Sequence, residues 1–199
     1  MATPLDFYFD FASPYAYLAS TRIDALAARH GRTVAWRPIL LGAVFKVTGM
    51  TPLLGQPLKG DYLRHDVARF ARLLGAPLSF PVSAPISALV PSRAFWWLHD
   101  RDAEAAHRLA RALFEEHWAR GRDISGLEAV LDVAGGLGLD PEAVRAGVQS
   151  DAVKARLRAE VEGAVARGVF GAPFFFVDGE PFWGADRRDQ VERWMAGSW

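Results

Sequence analysis

The stretch DFYFDFASPYAYL, residues 6–18, decides the fold. Its apolar side chains recur at every second position, which predicts a β-strand with one buried face: Phe7, Phe9 and Phe11. The alternation stops at Ser13 and Pro14, and a serine followed by a proline is typical of the first turn of a helix. Apolar residues at helical spacing then continue to residue 29. The chain therefore passes from a strand into a helix, with a hydroxyl group at the junction.

The serine at this junction, Ser13, has two interpretations. As an N-cap it only accepts hydrogen bonds from the free N–H groups of the helix. As a functional group it stands at the positive end of the helix dipole, which stabilises an anion such as a phosphate, a carboxylate or a thiolate. Asp10, three residues earlier, either tunes Ser13 or caps the same helix, and we favour the structural role.

Composition limits the class of protein. The chain has 199 residues, 51% hydrophobic and 23% charged, which fits one globular domain or one domain with a large insertion. Its 23 lysines and arginines equal its 23 aspartates and glutamates, whereas a nucleic-acid-binding protein is usually basic. The sequence shows no signal-peptide pattern and no apolar run of the roughly 20 residues that span a bilayer. We therefore expect a cytoplasmic protein that binds neither nucleic acid nor a membrane.

The chain has no cysteine. This excludes disulfides, cysteine nucleophiles, thiolate metal sites and Cys-x-x-Cys redox chemistry. If thiol chemistry occurs here, the thiol arrives with a ligand. The five histidines do not have the spacing of metal ligands, so we expect no metal site.

The remaining elements follow in a simple order. Residues 33–38 predict a second strand, and residues 61–168 are largely helical. The final part predicts two strands joined by a tight turn at Asp178 and Gly179, and then a helix over 186–195. Within the helical part we predict helices over 61–74, 92–118 with a break near Asp100, 127–134, from Asp140 onward and 150–166, with loops over 51–60 and 78–91. The aromatic run at 95–97 indicates core or a subunit contact.

A βαβ beginning and a ββα end, separated by helices, is the thioredoxin arrangement. We therefore predict an α/β, thioredoxin-like fold interrupted by an all-helical insertion. The thioredoxin-like domain comprises residues 1–40 and 169–199, and the helical insertion with its connecting loops comprises 41–168. Ser-Pro-Tyr-Ala at 13–16 stands where thioredoxin-like enzymes carry Cys-x-x-Cys, and Gly-Ala-Pro at 171–173 stands where they carry a cis-proline.

Three motifs carry a resemblance that covers nearly the whole chain. Residues 6–18, the helix at 61–74 leading into GAPLSFP at 75–81, and VFGAPFFFVDGEPFWGADR at 169–187 resemble the 2-hydroxychromene-2-carboxylate isomerases and kappa-class glutathione transferases of the DsbA-like superfamily. The resemblance implies a homodimeric, glutathione-dependent isomerase that acts on a small aromatic or electrophilic compound. The glutathione thiolate would add reversibly to a conjugated double bond of a substrate from aromatic catabolism.

The resemblance also implies which residues hold glutathione. Ser13 would donate a hydrogen bond to the glutathione sulfur and favour its thiolate, which is chemically reasonable because a free thiol with a pKa near 8.5 is only partly ionised at neutral pH. Pro14 and Tyr15 belong to the same part of the site. The backbone of Ala172, beside Pro173, would pair with the cysteinyl residue of glutathione as a neighbouring strand does.

The two ends of the tripeptide would bind elsewhere. Asp186, with the backbone of Gly184 and Ala185, would receive the γ-glutamyl amine and carboxylate, and Lys46 would pair with the glycyl carboxylate. For two of these residues the sequence leaves a second interpretation open. Asp186 could be only a helix cap, and Lys46 could be only a solvated surface lysine.

The sequence departs from the family pattern at three places. Met50 stands near a position where relatives often have an asparagine, Ala185 replaces a frequent serine, and residues 82–87 contain no polar aromatic residue. These differences are compatible with the predicted glutathione site, with only a backbone contact at Ala185, but they argue against a chromene substrate. Two other functions therefore stay open: a kappa-type glutathione transferase or peroxidase, and a non-catalytic binding protein with the thioredoxin fold.

Overall fold

The computed structural model describes residues 3–199 and places four strands in one mixed sheet. The strands are β1 (Leu5–Phe9), β2 (Val34–Pro38), β3 (Phe174–Val177) and β4 (Glu180–Trp183), in the spatial order β2-β1-β3-β4. β1 runs parallel to β2, whereas β3 is antiparallel to both of its neighbours. The two ends of the chain therefore share one sheet, and the predicted α/β fold with a helical insertion is confirmed.

Helices account for most of the remaining chain. Within residues 3–199 none of them has the length and apolar character needed to cross a bilayer. The α-helices are α1 (Pro14–Ser20), α2 (Ile23–Arg29), α3 (Leu41–Thr48), α4 (Lys59–Leu74), α5 (Leu89–His99), α6 (Ala103–Phe114), α7 (Leu127–Gly136), α8 (Pro141–Gln149), α9 (Asp151–Ala166) and α10 (Arg188–Met195).

Four of the helices between β2 and β3, namely α6, α7, α8 and α9, pack around α5. The predicted break near Asp100 is confirmed. The new helix starts after Asp102, whose carboxylate accepts a hydrogen bond from the N–H of Ala105 at 2.9 Å. The domain boundaries at residues 40 and 168 stay predictions.

In the first half of the chain, one helix prediction and one loop boundary are wrong. The first helix does not continue to residue 29, because α1 ends at Ser20 and α2 begins at Ile23. The hydroxyls of Ser20 and Thr21 donate to backbone carbonyls three residues earlier, at 2.7 and 2.8 Å, and such local bonds compete with the helical pattern. The loop predicted over 78–91 ends too late, since α5 already begins at Leu89. Pro91 lies in its first turn, where the N–H that proline lacks would have no helical partner.

The core joins the sheet to the helical insertion through aromatic rings. Phe9 is fully buried, and its ring lies 5.4 Å from that of Trp36 on β2 and 6.0 and 5.4 Å from those of Phe95 on α5 and Phe114 on α6. The core interpretation of the run 95–97 is confirmed for Phe95 and Trp96, which are both buried. Phe9 therefore contacts both parts of the fold.

The prediction that β1 buries only one face is wrong. Tyr8 points to the opposite face and is also buried. Arg167, which follows α9, covers this face: its guanidinium lies 3.9 Å from the centre of the Phe176 ring and donates to the Tyr8 hydroxyl at 3.2 Å. β1 is thus an inner strand that is covered on both sides.

Candidate functional site

Ser13 does cap the first helix. It has extended backbone angles, Pro14 follows it as the first helical residue, and its Oγ accepts a hydrogen bond from the N–H of Ala16 at 3.2 Å. The Ser13 N–H donates to the carbonyl of Asp10 at 2.9 Å, which closes the turn between β1 and α1. The capping interpretation therefore holds, but it does not account for the hydroxyl proton.

The hydroxyl proton of Ser13 is directed at the other end of the chain. Ser13 Oγ donates to the carbonyl oxygen of Ala172 at 3.0 Å, across 159 residues of sequence. Ala172 is half-buried and its peptide bond to Pro173 is cis, as the resemblance implies. Within the described part of the chain, the Ala172 N–H has no hydrogen-bond partner. The structure thus brings Ser13, Ala172 and Pro173 together and leaves a free backbone donor beside them.

Asp10 has a role that neither sequence interpretation anticipated. Its carboxylate accepts one hydrogen bond from the N–H of Ala12 at 2.8 Å and another from the N–H of Leu41 at 2.7 Å. Leu41 is the first residue of α3, and the residue before it provides no side-chain cap. Asp10 therefore caps α3 and not α1, so the prediction that it caps the first helix is wrong. One buried carboxylate connects the serine turn to α3.

Burial raises the pKa of Asp10 to about 6, although the hydrogen bonds from Leu41 and Ala12 partly oppose this rise. The native protein therefore binds a proton more tightly than the unfolded chain, and stability falls as pH rises from about 4 to about 6. Relative to a carboxyl with the ordinary pKa of 3.8, the cost at neutral pH is about 3 kcal/mol.

We expect the substitution Asp10→Asn to remove this pH dependence. The amide does not ionise, so the unfolding free energy of the variant relative to that of the wild type should rise by about 2–2.5 kcal/mol between pH 4 and pH 7. The unfolding free energy of the variant will also be lower by a constant amount at every pH, because the amide NH₂ faces one of the two backbone N–H donors. Urea denaturation across this pH range measures both effects. Glu104→Gln, at an exposed position of α6, is the control, and parallel curves for wild type and Asp10→Asn would contradict the prediction.

Tyr15 connects the same turn to the helical insertion. Its hydroxyl donates to the carboxylate of Asp66 on α4 at 2.6 Å, and Asp66 also pairs with Arg69. Partial burial and then this hydrogen bond raise the pKa of Tyr15, so the hydroxyl keeps its proton at physiological pH. The Tyr15 hydroxyl donates its hydrogen bond to Asp66, so Tyr15 links α1 to α4.

Tyr15→Phe should lower the unfolding free energy by about 1–2 kcal/mol, since it removes a hydrogen bond to a charged group at a half-buried position. Tyr62→Phe is the matched control. The Tyr62 hydroxyl belongs to the same cluster but is exposed and only accepts a long contact of 3.4 Å from Arg69, so a loss within about 0.5 kcal/mol is expected there. Chemical denaturation of both variants measures the difference, and equal losses would show that the Tyr15 link contributes no more than a surface contact.

The turn after β4 brings Gly184 and Ala185 next to this site. The Gly184 N–H donates to the carbonyl of Pro173 at 3.0 Å. Gly184 has φ +110°, a backbone conformation that side chains with a Cβ rarely adopt, so a substitution here would be strained. Ala185 is buried, and the 3₁₀ turn Ala185–Arg187 contacts α1.

Asp186 does not act as a helix cap. The turn Ala185–Arg187 precedes α10, so the predicted helix over 186–195 begins later, at Arg188, without a side-chain capping bond. The Asp186 carboxylate is exposed, and its recorded ion pair in residues 3–199 is a 3.5 Å contact with the neighbouring Arg187. It is therefore available to a ligand.

Lys46 lies in the last turn of α3 and is exposed. Within the described residues it has neither an ion pair nor a side-chain hydrogen bond, and no recorded contact joins it to Ser13 or Ala172. Within residues 3–199, Asp10 connects this helix to the serine turn, because its carboxylate accepts a hydrogen bond from the N–H of Leu41. The assignment of Lys46 to the glycyl carboxylate stays a prediction.

A cavity of about 440 Å³ lies between α1, α4 and α10, but Ser13 and Ala172 do not line it. Its walls are apolar and its edge carries charges of both signs. Asp186 belongs both to this edge and to the turn beside Pro173. The lining residues include Leu18, Ile23, Phe70, Phe175 and Val191, with Arg22, Asp186, Arg188 and Asp189 as the charged members.

Sequence reasoning missed two aromatic contacts near the serine turn. The Trp118 indole N–H donates to the carbonyl of Phe11 at 2.9 Å, from a π-helical turn, Glu115–Ala119, that shifts the register at the end of α6. Gly171 lies directly against Trp183, since a Cβ on Gly171 would be 2.4 Å from the indole Nε1. Helical periodicity does not show a π turn. The glycine before Ala172 was the only signal for the second contact.

The chain matches the model of the DSBA-like thioredoxin domain over residues 4–196. It is 32% identical to the 2-hydroxychromene-2-carboxylate isomerase of Sphingobium xenophagum over 197 residues, 98% of this chain and 99% of that protein. It is 34% identical to the enzyme of the same name from Pseudomonas putida, with 96% and 93% covered. Glutathione S-transferase kappa 1 of Rattus norvegicus is 24% identical, with 96% and 92% covered.

Solved structures agree with these sequence relatives. A 2-hydroxychromene-2-carboxylate isomerase (HCCA isomerase) superimposes with a TM-score of 0.88 at 33% identity, covering 98% of this chain and 95% of that one. The cytosolic disulfide reductase DsbM from Pseudomonas aeruginosa, solved with GSH, has a TM-score of 0.68 at 21% identity, with 98% and 96% covered. At 21% identity, the likeness to DsbM shows the fold alone.

Proposed function

Because this chain belongs to the DSBA-like thioredoxin family, in the group of the 2-hydroxychromene-2-carboxylate isomerases, we propose that it is a glutathione-dependent cis-trans isomerase. The observation that carries the proposal is the hydrogen bond from Ser13 Oγ to the carbonyl of Ala172. It joins the two segments that would bind glutathione in a chain without cysteine. A thiol used here must therefore come from a ligand.

The residues present fit glutathione. The free N–H and the carbonyl of Ala172 offer a donor and an acceptor to the cysteinyl residue, as the edge of a strand does. The exposed carboxylate of Asp186, next to the backbone of Gly184 and Ala185, offers a partner to the γ-glutamyl amine. Lys46 offers a positive charge to the glycyl carboxylate.

Bound glutathione supplies a thiolate nucleophile that adds reversibly to a conjugated double bond of the substrate. Ser13 stabilises this anion by donating a hydrogen bond from its hydroxyl group, which keeps its proton. We expect a smaller contribution from the helix dipole than a helix through residue 29 would give, because α1 has only seven residues. The hydroxyl is thus the main feature of the chain that would lower the pKa of a bound thiol.

Calorimetric titration with glutathione, combined with ultraviolet absorbance of the thiolate as a function of pH, tests the proposal. We expect binding and a thiol pKa below the free value of about 8.5. No binding would favour a non-catalytic protein with this fold. Binding with an unshifted thiol pKa would also contradict the proposed chemistry.

A kappa-type glutathione transferase or peroxidase is the second candidate, and the relatives of that name favour it. Product analysis separates the two functions. A transferase or peroxidase consumes glutathione, whereas an isomerase returns it unchanged. The substrates to compare are a conjugated aromatic-catabolism compound with a cis double bond, an electrophilic aromatic halide and an organic peroxide. We further propose that the protein is a cytoplasmic homodimer, which sedimentation and fractionation test.

A further inference from the structure

We propose that Ala172 selects the thiol: the Ser13 hydroxyl donates a stronger hydrogen bond to a ligand's sulfur when a peptide N–H of the same ligand binds the Ala172 carbonyl. This inference rests on the proposed function and deepens it. It makes the activation of the thiol depend on correct backbone recognition, so that a simple thiol would be a poor substitute for glutathione.

The first step is that the Ser13 hydroxyl already donates its hydrogen bond within the protein. A hydroxyl has one proton, and in Ser13 this proton is donated to Ala172 at 3.0 Å while the oxygen accepts from Ala16 at 3.2 Å. The Ser13 residue is only 5% exposed, so water has little access to it. A sulfur beside Ser13 therefore accepts a hydrogen bond from the hydroxyl only when the hydroxyl turns away from Ala172.

The second step concerns which donor the Ala172 carbonyl accepts from when a ligand binds. Within residues 3–199 the Ser13 hydroxyl is the only recorded donor to the oxygen of Ala172, while the N–H of the same residue has no partner. An extended peptide that pairs with Ala172 fills both positions, since its N–H donates to the carbonyl and its own carbonyl accepts from the N–H. A ligand with this backbone gives the carbonyl a second donor, so the Ser13 hydroxyl can turn to the sulfur without leaving the carbonyl unpaired.

The third step compares the two outcomes. A hydrogen bond from Ser13 to a thiolate is charge-assisted and stronger than its neutral bond to a carbonyl, so the exchange is favourable once the carbonyl has a new donor. Without that donor, one hydrogen bond of the Ala172 carbonyl is lost. This reduces the stabilisation of the thiolate by about three- to tenfold. The bound thiol then has a pKa higher by about half a unit to one unit.

The probe is a glutathione analogue methylated at the cysteinyl amide nitrogen, and the control is its isomer methylated at the glycyl amide nitrogen. Thiolate absorbance against pH gives the thiol pKa of each bound ligand. In the wild type we expect the cysteinyl-methylated analogue to have a pKa about half a unit to one unit above that of glutathione, and the control to match glutathione. In Ser13→Ala the three values should converge.

Equal pKa values for glutathione and the cysteinyl-methylated analogue in the wild type would overturn the inference while leaving the proposed function intact. Failure of glutathione itself to bind, or to ionise more readily when bound, would instead refute the proposed function. The two failures are therefore distinguishable.

A second measurement decides the matter if the methylated analogue binds too weakly to be titrated. The tripeptide γ-glutamyl-alanyl-glycine has the peptide N–H but no sulfur, so it shares the Ala172 carbonyl with the Ser13 hydroxyl, and two donors on one oxygen weaken each other's hydrogen bonds. Calorimetry should show that Ser13→Ala binds this peptide about three- to tenfold more tightly than the wild type does. The same variant should bind glutathione more weakly. Equal or weaker binding of the alanyl peptide by Ser13→Ala would overturn the inference.

Discussion

Ser13→Ala is expected to lower kcat/KM for isomerisation by about a hundredfold to a thousandfold, which is the cost of removing one donor that stabilises a catalytic anion. The hydroxyl is the donor placed at the junction of β1 and α1, and the chain has no cysteine that could replace its function. The thiolate absorbance of bound glutathione at neutral pH should fall in parallel. Steady-state kinetics and pH-dependent absorbance measure the two effects.

Ser20→Ala is the matched control for this experiment. Ser20 is also a buried serine of α1, but its hydroxyl donates to the carbonyl of Tyr17 at the far end of the helix. Both substitutions remove a local hydrogen bond, and loss of the cap at Ser13 costs about 1 kcal/mol of stability. Unfolding curves separate this loss from catalysis. Wild-type turnover and absorbance in Ser13→Ala would remove Ser13 from the mechanism.

Phe9→Ala should have the largest effect on stability, with a loss of about 3–5 kcal/mol in unfolding free energy. Phe9 is fully buried, and its ring contacts the rings of Trp36 in the sheet and of Phe95 and Phe114 in the helical insertion. The cavity left by the substitution therefore lies between the two parts of the fold. For a chain of this size we expect a melting temperature lower by about 10 °C.

Phe170→Ala provides the control, because Phe170 is an aromatic residue that is 37% exposed. Its loss should be about 1 kcal/mol or less. Differential scanning calorimetry of both variants gives the comparison. A loss in Phe9→Ala as small as that in Phe170→Ala would mean that the ring cluster does not hold the sheet to the helices.

The order of the elements was predictable because each carries its signal locally. Ser13 and Pro14 begin a helix, Asp178 and Gly179 form a hairpin turn with positive φ angles, and Asp140 caps α8 through the N–H of Glu142. The proximity of Ser13 to the segment around Pro173 was predicted from the resemblance to the isomerase family. No local pattern relates residues so far apart in the chain.

Other features depend on contacts that periodicity does not encode. Asp10 was expected at α1, but its carboxylate reaches the N–H of Leu41 on α3, which only the packing of β1 against the following loop determines. The end of α1 depends on where the hydroxyls of Ser20 and Thr21 turn. The commitment of the Ser13 proton to Ala172 is likewise a property of the assembled site.

The contact between Trp183 and Gly171 gives the protein a built-in optical reporter. Trp183 is 47% exposed and lies against the residue that precedes Ala172, whereas Trp36, Trp96 and Trp118 are buried in the core. If a peptide that pairs with Ala172 also covers the Trp183 indole, its fluorescence should change, while the emission of the three buried indoles should stay constant. Intrinsic fluorescence, compared between the wild type and Trp183→Phe, would therefore follow ligand entry without any label.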